Sequence, residues 1–220
     1  METLSAFPHL TTSEFEDACT TLAARYDQHS LDQNEWQSVE LIYQYEAKYL
    51  RITKPLQTCT VGRSTDKDQH TRSDEDEDDI EELEDDDDEV LPTTGGLEVL
   101  VVYDILLSPV YRVPVLYISI ADPQHRYPPT MQTLYEHLIP SNFEAQAQSG
   151  GVIGGISIQD HPATNRPVFF IHPCQTAEAM EESVGRRNIT AEEYLILWTG
   201  ALGKCVGLNV PLALMQQNEV

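Results

Sequence analysis

Residues 97–120 read LEVLVVYDILLSPVYRVPVLYISI. Two strand candidates, LEVLVVYDILL (97–107) and VPVLYISI (113–120), flank the short connection 108–112. So short a link joins its strands as a hairpin, which makes them antiparallel neighbours. Toward the N-terminus, TSEFEDACTTLAARYDQH (12–29) places Phe15, Ala18, Cys19, Leu22, Ala23 and Tyr26 on one helical face. Glu14, Glu16 and Asp17 suit its first turn, and Ser13 with Glu16 has capping-box spacing. In VELIYQYEAKY (39–49), Val39, Leu41, Tyr43 and Tyr45 alternate with polar partners, the signature of one half-buried strand.

Toward the C-terminus, Thr130 caps a short helix, TMQTLYEHL (130–138), after Pro128 and Pro129. A Gln/Ser/Gly loop follows, then strand candidates GISIQ (155–159) and PVFFIH (167–172). The last long element, AEEYLILWTGALG (191–203), is a helix opened by Thr190 and Glu193 in capping-box spacing, and VGLNVPL (206–212) closes the fold. This order predicts an α+β domain: an antiparallel sheet of about four strands plus short extra strands, flanked by helices.

The formal charge of −24 is unevenly spread. Between 74 and 89, 14 of 16 residues are acidic; without them the 37 acidic residues fall to 23 against 13 basic, a net of −10. Residues 60–96 hold too little apolar surface to offset their ordering entropy and read as a disordered acidic insertion, either solvated linker or a docking segment for a basic partner. The predicted fold is therefore a single domain made of 1–59 and 97–220. Its acidic surface repels phosphate backbones and argues against nucleic-acid binding. No apolar run reaches membrane-spanning length, and METLSAFPHLTTSEFEDAC lacks the regions of a signal peptide, so a cytoplasmic protein with no integral membrane segment is expected.

Cys19, Cys59, Cys174 and Cys205 form no CxxC pair, which speaks against a zinc module or a disulfide framework and for reduced thiols. Cys19 and Cys205 read as packing and Cys59 as an exposed bystander. Cys174 differs. In PVFFIHPCQT (167–176), Phe169 and Ile171 face one way and Phe170 and His172 the other. Pro173 removes a backbone donor and ends the ladder, so Cys174 emerges at the sheet rim, where a thiol can act as a nucleophile. A loop thiol that merely packs is the plain alternative. A protease would need a separate histidine, for which His161 and His125 lack specific spacing. A metal held by His161, His172 and Cys174 lacks a fourth ligand. No metal and no cofactor are expected.

VPVLYI (113–118), the Pro-Thr-capped short helix, His-Pro at 161–162, PVFFIHPCQT and LWTGALGKCVGLNVPL (197–212), in this order, resemble the autophagy-related protein 10 family of E2-like conjugating enzymes. The resemblance covers roughly 97–215 and implies a ubiquitin-conjugating-enzyme-like core. It implies that Cys174 accepts the C-terminal glycine of the ubiquitin-like autophagy-related protein 12 from the E1-like autophagy-related protein 7. The same resemblance implies transfer to a lysine of autophagy-related protein 5. Ordinary ubiquitin E2s carry His-Pro-Asn, whereas the two His-Pro pairs here continue as Ala163 and Cys174. His172, Tyr117 and Asn165 are the candidates for the missing polar role, each with a structural reading beside it: backbone bonding, sheet packing and a turn. Two other readings stay open: a noncatalytic E2-shaped adaptor, and the sibling lipid-conjugating enzyme acting on autophagy-related protein 8. The acidic start and single Arg25 of the 12–29 helix weigh against the sibling.

Overall fold

The 97–120 hairpin forms the centre of the sheet. In a computed structural model that describes residues 3–44, 47–57, 98–143 and 155–215, strand β3 (Leu100–Leu107) pairs antiparallel with β4 (Pro114–Ala121), from Leu100 opposite Ala121 to Leu107 opposite Pro114. Four more strands extend this pair: β1 (Ser38–Gln44), β2 (Ala47–Pro55), β5 (Ile156–Asp160) and β6 (Pro167–Ile171). The spatial order is β1-β2-β3-β4-β6-β5, antiparallel throughout. Cys59 and the acidic insertion at 60–96 lie outside the described residues.

The α+β class is as expected, with two corrections to its parts. The single strand expected over 39–49 is two: Gln44 stands opposite Ala47, so the chain reverses there and β2 runs back along β1. Val39, Leu41 and Tyr43 keep one period up to the reversal, and Tyr45 continues it in sequence, so periodicity alone gives no sign of the turn. The sheet has six strands, four of seven to nine residues and two of five, as the expected four strands with short additions describe.

Helix α1 (Thr12–His29) is capped by Thr11 and Glu14, not by Ser13 and Glu16. Thr11 Oγ1 accepts the Glu14 N–H at 3.2 Å, and Glu14 Oε2 accepts the Thr11 N–H at 2.8 Å. Both residue pairs have the right spacing, but Glu14 also accepts the Ser5 N–H at 2.7 Å, which ties the preceding segment to the cap. Burial works against that carboxylate's charge, but the hydrogen bonds from Ser5 and Thr11 prevail and hold its pKa at about 2. The second box is the expected one: Thr190 and Glu193 cap α4 (Ala191–Leu202), with the Glu193 carboxylate accepting the Thr190 N–H at 2.8 Å.

Thr130 caps α2 (Met131–Thr133), which widens at once into a π turn over Leu134–Leu138. Two helices were not anticipated, α3 (Thr176–Val184) and α5 (Leu212–Met215). One face of the sheet packs on α1 and α4. Ile52, Tyr103, Ile105, Leu116, Phe169 and Ile171 meet Phe15, Leu22, Leu195 and Trp198 in one buried cluster. Cys19 belongs to it, as expected, and so does Cys205, whose Sγ donates to the Leu202 carbonyl.

The C-terminal segment is tied down by side chains of β2, β3 and the loop before β1. Tyr103 Oη donates to the Val206 carbonyl (2.8 Å), Lys54 Nζ to Gly207 (2.7 Å) and Trp36 Nε1 to Asn209 (2.7 Å). Gly207 has φ +77° in this clasp, a conformation that L side chains rarely adopt.

Leu22→Ala, a deletion inside the cluster, is expected to cost about 2–5 kcal/mol. Thr190→Ala, which removes one cap, is expected to cost about 1 kcal/mol. Urea unfolding followed by circular dichroism measures both, and equal costs would show that the cluster is not the main source of stability.

Candidate active site

Strand β6 determines what surrounds the thiol. Its register against β4 sets Phe169 opposite Ile118, Phe170 opposite Tyr117 and Ile171 opposite Leu116. Phe169 and Ile171 fall in the core, while Phe170 lies on the other face with Tyr117, ring centroids 4.9 Å apart. His172 follows on that side, 6.1 Å from the Phe170 ring. Pro173 opens a 3₁₀ turn over Pro173–Gln175 that runs straight into α3.

Cys174 sits in the middle of this turn and is exposed, whereas Cys19 and Cys205 are buried. Burial pushes the Cys19 thiol up to about 12, and the Cys205 thiol to about 12 as well. Neither supplies a thiolate near neutral pH.

His172 caps the turn: its Nδ1 accepts the Cys174 N–H at 3.2 Å. This assigns the neutral imidazole's proton to Nε2. The ring stands edge to face against Tyr111, centroids 5.6 Å apart. Tyr111 belongs to the β3–β4 connection, which the sequence reading treated only as a link. Leu106, Tyr111, Val115, Tyr117, Phe170, His172 and Pro173 line a groove of about 510 Å³ beside the thiol turn.

The β5–β6 connection curls over the open face of the sheet. His161, 2 % exposed, packs there against the rings of Tyr117 (5.1 Å) and Tyr49 (5.9 Å). Its Nδ1 accepts the Ala163 N–H at 3.1 Å, so Nε2 carries the proton toward Asp104, 3.2 Å from Oδ2. That contact is short but off the line of a well-aligned hydrogen bond. Arg51 grips the same carboxylate with two bonds of 2.7 and 2.8 Å. Burial works to raise the Asp104 pKa, but contacts from Arg51 and His161 outweigh it and the net shift is downward. Sequence reasoning missed Asp104 and Arg51. The available signal was a single carboxylate inside the otherwise uncharged strand LVVYDILL.

Asn165 lies at the tip of this connection with φ 52°, and its N–H donates to the His161 carbonyl at 2.8 Å. Tyr117 is therefore gathered with His172 at the groove, while Asn165 shapes the hairpin tip. His125 follows the Ala121 end of β4, and Cys174 emerges near the Pro114 end, so the two stand at opposite ends of that strand. Among the described residues, no group of three or more His, Cys, Asp or Glu is placed to hold a metal ion.

An α+β sheet with an exposed cysteine on a proline-led turn is the frame of an E2-like enzyme, a transferase that carries a ubiquitin-like protein on a thiol. The chain belongs to the family described as autophagocytosis associated protein, active-site domain, whose model matches residues 14–213. Among its relatives, a ubiquitin-like-conjugating enzyme ATG10 of Gibberella zeae is 29 % identical over 96 % of this chain and 98 % of the relative. That of Homo sapiens is 33 % identical over 57 % of each chain. That of Dictyostelium discoideum is 26 % identical over 54 % of this chain and 55 % of the relative. A solved structure, the crystal structure of autophagic E2, Atg10, covers 91 % of this chain and 99 % of its own at 13 % identity, with a TM-score of 0.42.

Because the folded pKa of Asp104 is depressed, its stabilisation is complete above the unfolded carboxylate value of about 4 and fades as pH falls through the folded one. Asp104→Asn should therefore melt below the wild type at pH 6, with the gap closing below about pH 4. A gap of constant size from pH 6 to pH 2 would remove the ion-pair account.

Proposed function

We propose that this protein accepts autophagy-related protein 12 as a thioester on Cys174 from the E1-like autophagy-related protein 7. It then passes that protein to a lysine of autophagy-related protein 5, in the cytoplasm, during autophagosome formation. The observation that carries the reading is the exposed thiol of Cys174 on a capped turn inside a chain of this family.

In the first step the Cys174 thiolate attacks the E1 thioester carbonyl; the new C–S bond replaces the old one and the E1 thiolate leaves. One sulfur replaces another, so the exchange has little net driving force and an unusually acidic thiol is not required. In the second step an uncharged lysine amine attacks the same carbonyl. An isopeptide bond forms, the amine loses a proton, and the Cys174 sulfur leaves as thiolate. Donors for the developing oxyanion and orientation of the lysine supply most of the acceleration.

Three polar groups are proposed to assist. His172 fixes the thiol turn through the Cys174 N–H and presents its Nε2 proton away from that bond. Tyr117 brings a hydroxyl to the groove. Asn165 acts, on this reading, by shaping the hairpin tip that packs over the sheet. The parts of the chain at 1–59 and 97–220 make one catalytic domain, with 60–96 as an acidic insertion. Among the described residues no helix is long and apolar enough to cross a membrane.

Incubation with autophagy-related proteins 7 and 12 and ATP, followed by gels with and without reductant, tests the proposal. Wild type should give an adduct that reductant removes. Cys174→Ser should give none, or a reductant-stable ester in its place. An adduct that persists unchanged in Cys174→Ser would displace the thiol from its role, and no wild-type adduct would favour an adaptor. Substituting autophagy-related protein 8 as donor separates the sibling activity. His172→Ala is expected to slow transfer to autophagy-related protein 5 by about tenfold or more while leaving the fold intact, the loss typical of a well-placed polar group.

A further inference from the structure

We infer that the crevice between the N-terminal segment and the loop closing α3 is a docking site for an acidic segment of a partner protein, one that carries an apolar side chain among its carboxylates.

Arg186 and Arg187 follow Gly185, which ends α3 with φ 63°, and both line the crevice. The chain has 37 acidic residues against 13 basic ones, so a guanidinium finds a carboxylate easily. Arg25, Arg51 and Arg126 each do, with Glu192, Asp104 and Asp122. Among the described residues, Arg186 and Arg187 form no ion pair, although Glu181 and Glu182 stand only about a turn back on α3. Arg187 Nε donates to the Val184 carbonyl at 3.4 Å, which orients that guanidinium and leaves its terminal N–H groups free. No Asp or Glu lines the crevice. Two neighbouring guanidiniums left open in so acidic a chain suit a carboxylate from outside, which each can grip with two bonds.

The rest of the crevice is apolar and already in place. Leu4, Phe7 and Ile189 line it, the Leu4 N–H donates to the Ile189 carbonyl at 3.1 Å, and Thr3 bridges to Thr190. The Phe7 ring stands edge to face against Tyr194, centroids 6.2 Å apart. Walls tied in this way spare an occupant the cost of ordering them. The volume is about 200 Å³, which suits side chains of a peptide rather than a larger cofactor. A bare anion gains nothing from the apolar part, whereas an apolar side chain flanked by carboxylates uses both. Cys174 lies just before α3 and the crevice just after it, so the nine-residue helix separates them by about 14 Å. An occupant there leaves the thiol open. Docking needs no thioester on Cys174, and the test contains no E1.

The test is fluorescence anisotropy of the full chain with a fluorescein-labelled peptide that has Leu between two pairs of Glu. Wild type should bind it about tenfold or more tighter than the same peptide with Gln for Glu, and several-fold tighter than one with Ser for Leu. Raising the salt should weaken binding. Arg186→Ala combined with Arg187→Ala should reduce the Glu peptide to the level of its Gln analogue, while Arg166→Ala, an exposed arginine on the β5–β6 connection, should not. Equal binding of the Glu and Gln peptides to wild type, or binding undiminished in the double variant, would overturn the inference. The comparison of peptides on wild type needs no variant, so a misfolded mutant, detected by its melting curve, leaves the result decisive. Displacement by inorganic phosphate together with equal binding of the Leu and Ser peptides would mean an adventitious ion only, and would overturn it. Binding that appears only after deletion of 74–89 would assign the arginines to this chain's own acidic run, and a dimer that the double variant dissolves would assign them to a second copy; either overturns the docking of a partner.

Discussion

The short pairing of β4 with β6 sets the site. Leu116 to Ile118 face Ile171 to Phe169, and this register alone decides which side of β6 meets the helices. Phe169 and Ile171 bury their side chains in the core, so Phe170 and His172 must lie on the opposite face. A slip of one residue would exchange the two sets and expose the aromatic that now anchors the core. With His172 on the open side, its ring meets Tyr111 and its Nδ1 reaches back to the N–H of Cys174. Pro173 cannot donate to the ladder, so pairing stops and the chain turns outward there. Hydrophobic burial three residues upstream, at Ile171, thus determines where a sulfur atom meets solvent.

The open face of the sheet is held by different means. Arg51, Asp104 and Tyr117 stand in line across β2, β3 and β4, and His161 packs over them from the β5–β6 connection. A buried ion pair gains little net stability over apolar packing of the same shape, because desolvation offsets its attraction. Its geometry is directional, however. The bidentate grip of Arg51 fixes the Asp104 carboxylate, and the His161 ring, held by the Ala163 N–H, packs edge-on to Tyr117 with Nε2 3.2 Å from that carboxylate. The β5–β6 connection is thus tied to the open face, also through Gln44 Nε2 donating to the Ala163 carbonyl, and its Pro162 lines the groove.

Features carried by neighbouring residues were legible in the sequence. The 97–120 hairpin, the Thr190 cap, the burial of Cys19 and the alternation of PVFFIH need only local spacing, and each is found. Features that depend on distant partners were not. The β1–β2 reversal hides because the alternation carries on into the turn in sequence. The N-cap of α1 moved from Ser13 to Thr11 because Ser5 supplies an extra donor to Glu14, a contact with no local signature. Helix α3 went unread since TAEAMEESV has only three buried positions, Thr176, Met180 and Val184. Within the site, the thiol, His172 and Tyr117 could be nominated from sequence. Tyr111, Arg51 and Asp104 could not, because each becomes relevant only when two or three strands lie side by side.

The three described cysteines show why position, rather than residue type, selects the candidate nucleophile. Cys19 lies on the inward face of α1, and Cys205 donates its thiol proton to the Leu202 carbonyl; burial holds both as neutral thiols. They behave as small hydrophobes, and converting either to a thiolate would place an unpaired charge in the core. Cys174 is connected to the same core through Ile171, three residues away, yet proline and a histidine cap turn it out. Acyl transfer between proteins requires a sulfur that two large partners can approach in succession. Only a thiol beyond the end of a strand, on a turn rigid enough to hold its direction, combines that access with a fixed relation to the groove.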